Sequence, residues 1–184
     1  MATWTPEDGL LGALAPLGLA AAAGGSALLV DLDPSGPRYP GSASLAELVA
    51  EGPRRADLRP ERPGIAVLRN GGITAAEAAE VVEALLAGWG RVVLRLPPRP
   101  PAESVSAVPV VPVRLLLPGG LFEASAGPGV YQSMAVRLPL PQGGLRLPRP
   151  SVATVRSLLT GRLPAPTNRW LHAWRRVWRF PWEP

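Results

Sequence analysis

Apolar residues along this chain fall into short blocks whose period changes from one block to the next. The run ALLVDL, 27–32, is almost continuously apolar and leads into Asp31 and Asp33, which predicts a buried strand over 27–32. GIAVLR, 64–69, RVVLRL, 91–96, and VPVRLLLP, 111–118, repeat that character and predict three more strands, the last with Pro112 near its start. Between the strands the pattern turns helical. The chain from Pro6 or Gly9 to Ala23 predicts a helix stopped by Gly24 and Gly25. Ser44-Leu-Ala-Glu47 and Thr74-Ala-Ala-Glu77 are capping boxes, in which hydroxyl and carboxylate each accept from the other residue's backbone N–H. The first predicts a helix over 44–51 ending at Gly52. The second predicts a helix over 75–87 with Val81, Val82, Leu85 and Leu86 on its inner face, ended by Gly88 and Gly90. Strands alternating with helices, each strand a nearly unbroken apolar run, specify an α/β fold: a parallel sheet flanked by helices. Leu28, Val30, Val92 and Leu94 are its expected core residues.

After Pro118 the pattern weakens. YQSMAVRLPL, 131–140, is a candidate strand, and 138–150 is rich in proline and glycine and reads as a linker or extended arm. Ser151 opens a short helix to Thr160, stopped by Gly161, with Val152, Val155, Leu158 and Leu159 on one face. The tail NRWLHAWRRVWRFPWEP then gives a complete separation of character. Placed on a helix over 169–180 at about 100° per residue, Trp170, Leu171, Ala173, Trp174, Val177, Trp178 and Phe180 fill one arc. Arg169, His172, Arg175, Arg176 and Arg179 fill the other, Thr167 or Asn168 can cap the start, and Pro181 ends the helix. The organisation expected is an α/β domain over 1–140, a Pro/Gly-rich arm with a short helix over 141–166, and an Arg/Trp amphipathic tail over 167–184.

Composition narrows the chemistry. The chain has 184 residues, 47 % of them apolar, enough for one domain with a real core. It has no cysteine, no lysine and one histidine, His172. Disulfides, thiolate metal sites, cysteine nucleophiles, Schiff-base lysines and a P-loop lysine are therefore excluded, and no metal or cofactor is expected. The net charge of +5 comes from arginine in a chain dominated by Ala, Arg, Leu and Pro, the bias of a GC-rich genome, so it is a weak argument for a nucleic-acid partner. The uncharged stretch Gly9–Val30 is long enough to span a bilayer. Pro16, the Gly24-Gly25-Ser26 break, the weak hydrophobicity of Ala and Gly and the lack of basic flanks favour a helix and a strand instead. MATWTPED is acidic, unlike the start of a signal peptide.

The ordered set ALLVDLDPSG, SLAELVAEG, PGIAVLRNGG and RVVLRLPP, within residues 9–118, resembles the ParA/MinD family of deviant P-loop ATPases. There a helix follows the phosphate loop, a strand ends in Asp-x-Asp, and a later strand ends in a Pro-containing turn. The resemblance implies a truncated P-loop NTPase-like fold and links Asp31 and Asp33 to water activation and nucleotide-dependent switching. The departures remove the catalysis. The family's first strand and lysine-bearing loop should precede the first helix, but only eight residues precede Gly9, and EDGLLGAL has two glycines and no Lys, Ser or Thr. Where the family carries a magnesium-linked aspartate this chain has Arg95-Leu96-Pro97-Pro98, and arginine offers no oxygen to Mg²⁺. Asp31 and Asp33 are then remnants, or simply acids that end a strand and cap the next loop. GLLGAL is not a dinucleotide fingerprint, the lone His172 builds no Ser-His-Asp set, and Glu47, Glu51, Glu77, Glu80 and Glu83 read as solvated helix faces.

In the tail, Trp170, Trp174, Arg175, Arg176, Trp178 and Arg179 are the candidate membrane or partner contacts. Tryptophan suits the headgroup region and arginine the lipid phosphates, and MinD-type relatives end in an amphipathic membrane-targeting helix. The same stripe would also serve a partner's groove, the protein's own core, or single-stranded nucleic acid. The expected function is a non-catalytic ParA/MinD-like pseudo-ATPase in a bacterial cytoplasm, acting as scaffold or positioning factor through a protein partner, with a peripheral contact at the inner face of the membrane and a homo- or heterodimer as further options. The alternatives are a RecA-like, nucleic-acid-associated accessory protein and an ATPase whose phosphate site a partner completes.

Overall fold

In the computed structural model, residues 1–6, 9–41, 43–54, 57, 64–98, 107–113, 129–133, 144–165 and 167–182 are described. Within them run β1 (Ala2–Trp4), α1 (Leu10–Ala21), β2 (Ser26–Asp31), α2 (Leu45–Glu51), β3 (Gly64–Leu68), α3 (Ala79–Gly88) and β4 (Val92–Arg95). They are followed by β5 (Ala107–Val113), β6 (Val130–Ser133), β7 (Leu145–Leu147), α4 (Val152–Leu159) and α5 (Arg169–Arg179). The seven strands form one sheet in the order β3-β2-β4-β1-β5-β6-β7, every neighbouring pair parallel. This is an α/β fold with a P-loop NTPase-like arrangement. The expected strands at 111–118 and 131–140 extend beyond Val113 and Ser133 into residues outside the described set.

Strand alternation divides the core in two. Ala27, Leu29 and Val93 point to one face, where α1, α4 and α5 pack, whereas Leu28, Val30 and Val92 point to the other, covered by α2 and α3. Leu94 is half-buried at the margin of the second face rather than in the core. The capping boxes are made as expected: Ser44 Oγ accepts from Glu47 N at 3.3 Å while Ser44 N donates to Glu47 Oε2 at 2.8 Å, and Gly52 ends α2 at φ +78°. The Thr74–Glu77 box closes a turn over 75–78, and the α-helix proper begins only at Ala79. Val81, Val82 and Leu85 are buried but Leu86 is exposed, since the inner face of α3 is narrower than its apolar sequence. In α4, likewise, Leu158 and Thr154 turn inward and Val152 stands in solvent.

The charge-free N-terminal run is explained by sandwiching. Residues 12–20 of α1 are buried all round, with the sheet on one side and α5 on the other. No described helix is long and apolar enough to cross a membrane. Two strands were invisible in the pattern. β1 is three residues long, yet it lies mid-sheet between β4 and β5, so the strand expected to be missing before α1 is present. β7 lies in the Pro/Gly-rich arm and forms the sheet edge beside β6. β5 accommodates Pro109 and Pro112 because it pairs β1 through 107–109 and β6 through 110–113, leaving one ladder at each proline.

Candidate functional site

In parallel α/β sheets, ligands bind beyond the carboxyl ends of the strands. Here β1, β2 and β4 bring Thr3, Asp31 and Arg95 into register at that edge. Alternation places Asp31 and Arg95 on the same side as Leu29 and Val93, the α1 side. Arg95 is 2 % exposed, Asp31 2 % and Asp33 4 %, so three charged groups share a buried site.

The guanidinium is fully engaged on the acid side. Arg95 Nη2 donates to Asp33 Oδ2 at 2.7 Å, and Nη1 donates to Asp31 Oδ2 at 3.3 Å and to the Pro37 carbonyl at 2.7 Å. The Tyr39 ring lies against the same cation, 5.4 Å from its centroid, and the Tyr39 hydroxyl donates to the Ala13 carbonyl of α1 at 2.8 Å. The aspartates' remaining oxygens are also used. Asp31 Oδ1 accepts from Asp33 N, while Asp33 Oδ1 accepts from Ser35 N, Ser35 Oγ and Gly36 N. A Cβ at Gly36 would overlap Arg95 and Asp33, so glycine is what lets this turn close over the ion pair. Asn70 braces the far side, donating from Nδ2 to the Asp31 carbonyl at 3.2 Å and to the Ile73 carbonyl at 3.0 Å.

Burial pushes the Asp31 carboxyl up to about 6, while Arg95 and the Asp33 amide pull it back. Burial likewise pushes the Tyr39 phenol up. Because the folded value for Asp31 exceeds the unfolded one, the folded state binds more protons between the two. This group's contribution is therefore present below about pH 4 and is lost as pH rises to about 6. Asp31→Asn should remove that slope: the difference in melting temperature between variant and wild type should change across this window and stay flat above it. A constant difference from pH 4 to 7 would contradict the assignment.

Beyond the carboxylates a cleft of about 410 Å³ opens between the ends of β2 and β3, lined by Asp33, Arg38, Ser44, Arg69 and Asn70 among others. Among the described residues no three His, Cys, Asp or Glu side chains converge as a metal site. The connection from β1 to α1 is residues 5–9, of which Glu7 and Asp8 lie outside the described set.

The tail residues sit elsewhere, on the α1 face of the sheet. Asn168 Oδ1 caps α5 by accepting from Trp170 N and Leu171 N. Trp170 and Trp174 are 2 % and 0 % exposed and meet edge to face, with ring centroids 5.6 Å apart. Trp170 Nε1 donates to Gln132 Oε1 at 2.7 Å, and Trp178 Nε1 to the Leu19 carbonyl at 2.8 Å. Of the alternatives the sequence left open for this stripe, Trp170 and Trp174 take the protein's own core, while Trp178 is half-buried against α1. Of the basic candidates, Arg175 is half-buried, and Arg176 and Arg179 are exposed.

Sequence reasoning singled out Asp31 and Asp33 but treated Arg95 only as a lost magnesium ligand, and it passed over Tyr39, Gly36 and Gln132. The available signal was Arg95 itself: a charged residue in an otherwise apolar strand, at the same end as two acids of opposite sign. No protein-family description matches the chain, and no curated protein matches it significantly.

Proposed function

We propose that the protein is a non-catalytic, ParA/MinD-like pseudo-ATPase that works in the cytoplasm as a scaffold or positioning factor through protein contacts. One observation carries the reading: the Asp31–Arg95–Asp33 cluster at the carboxyl ends of β2 and β4. A nucleotide site there needs carboxylate oxygens open to Mg²⁺, and a cation with successive backbone N–H groups for the phosphates. Here the carboxylates are committed to Arg95 and to backbone amides, and the cation is committed to the carboxylates. Opening the site would strand buried charges, which makes it a fixed structural cluster rather than a switch.

The test is ATP·Mg²⁺ binding. Phosphate contacts to charged groups contribute roughly 1.5–3 kcal/mol each, and their loss should leave no measurable affinity at millimolar nucleotide. Melting temperature should be unchanged by millimolar ATP with Mg²⁺. A clear upward shift, abolished by Asp31→Ala, would overturn the proposal. In this reading a peripheral membrane contact would require α5 to leave the core, so its outer basic face is what remains for partners.

A further inference from the structure

The charges of this chain are segregated along its length. Residues 1–123 hold thirteen acids and ten arginines, while residues 124–184 hold nine arginines and a single acid, Glu183, giving net charges of −3 and +8. A genome-wide bias toward arginine acts on the whole chain and would not clear one third of it of carboxylates. A charge asymmetry of this kind points to a polyanionic partner.

The structure gathers part of this charge on α5. Arg169, His172, Arg176 and Arg179 are all exposed and recur at intervals of three to four residues, which puts them in one row. At 1.5 Å per residue the row is about 15 Å long. Exposed Arg156 and Arg162 precede it in and just after α4. Among the described residues Arg169, Arg176 and Arg179 take part in none of the ion pairs, which are those of Arg54 with Glu51 and of Arg95 with the two aspartates. A face that is merely solvated mixes signs, since like charges at such spacings repel by a few tenths of a kcal/mol per pair. Arg169 also stands at the positive end of the helix dipole, where a cation is disfavoured. Arg176 and Arg179 lie in the last turn, where the dipole favours them, so only the Arg169 end works against the helix, and the burial of Trp170, Trp174 and Val177 holds it in place.

We propose that the outer face of α5 is a docking surface for the phosphate backbone of nucleic acid, bound without sequence preference. A row of fixed cations gains from counterion release along a polyphosphate chain. A lipid surface fits less well: Trp170 and Trp174 are buried in the core, Trp178 is half-buried with its Nε1 bonded to the Leu19 carbonyl, and electrostatic attraction without inserted apolar groups anchors weakly. His172 is the one ring in the row and no Trp, Tyr or Phe lies there, so base stacking contributes little. The inference is independent of the pseudo-ATPase reading, because it uses no residue of the Arg95 cluster.

The experiment measures fluorescence anisotropy of a labelled mixed-sequence DNA duplex with the full chain, from about 50 to 200 mM salt. Binding should have a Kd of roughly 10⁻⁴–10⁻⁶ M at physiological salt and be insensitive to duplex sequence. The triple variant Arg169→Ser, Arg176→Ser, Arg179→Ser should keep the wild-type melting temperature within a few degrees and reduce the salt slope by about three, one per arginine. Arg54→Ser, remote in sequence and exposed, should leave the slope unchanged. Absence of salt-dependent binding, an equal effect of Arg54→Ser, or an unchanged slope in the triple variant would overturn the proposal. So would retention on vesicles containing phosphatidylserine without binding to the duplex, which would make lipid the partner.

Discussion

Trp174→Ala should cost about 3–5 kcal/mol of stability, the range for removing a large aromatic from a core. Trp174 is completely buried, meets Trp170 edge to face, and packs over Gly18 of α1. A Cβ at Gly18 would overlap both indoles, so the close approach of α1 and α5 depends on that glycine. Gly18→Ala should therefore destabilise from the other side of the same contact, by roughly 1–3 kcal/mol as overpacking usually does. Against a total of about 5–15 kcal/mol for a domain, the tryptophan loss is a large fraction. A chain ending at Pro166 should go further, since it uncovers the buried face of α1 and removes the partner of Gln132. It should lack a cooperative thermal transition. A truncated chain that melts like the full one would show that α5 is not part of the core.

The contrast between α5 and its partner shows what a sequence can and cannot carry. The bounds, the Asn168 cap and the separation of arcs in α5 follow from local spacing and were legible. Which surface receives the apolar arc is a long-range fact. The clue was α1, apolar on every side and interrupted by Gly18: a helix of that kind needs cover on two faces, and the sheet supplies only one. The strands behave the same way. β2, β3 and β4 are long enough for their apolar runs to be read. β1 and β7, at three residues each, carry too little pattern, and both owe their place to neighbours that complete their hydrogen bonding. At the candidate site the acids could be picked out, but their pairing with Arg95 could not. That pairing depends on β4 lying beside β2, which brings together residues 64 positions apart.

The pairing has a second large consequence. Arg95→Met should destabilise the protein by about 3–5 kcal/mol at pH 7, because it leaves Asp31 and Asp33 buried with no compensating cation. Burial already pushes Asp31 up to about 6 with Arg95 present, and removing the cation can only raise it further. The folded value of Asp31 then lies above the unfolded one, so protons favour the fold. The deficit should be smallest near pH 4 and should grow as pH rises through and beyond 6. If the cost reflects unpaired charge and not lost volume, neutralising the acids should recover most of it. Asp31→Asn and Asp33→Asn keep the Oδ1 acceptors that the Asp33, Ser35 and Gly36 amides use. Combined with Arg95→Met they should bring the melting temperature back toward wild type and flatten its pH dependence, since a buried ion pair seldom outperforms a neutral replacement of similar volume. Thermal melts of the single and triple variants from pH 4 to 8 decide the matter. An Arg95→Met protein as stable as wild type at pH 7 would mean that the cluster does not hold the sheet edge.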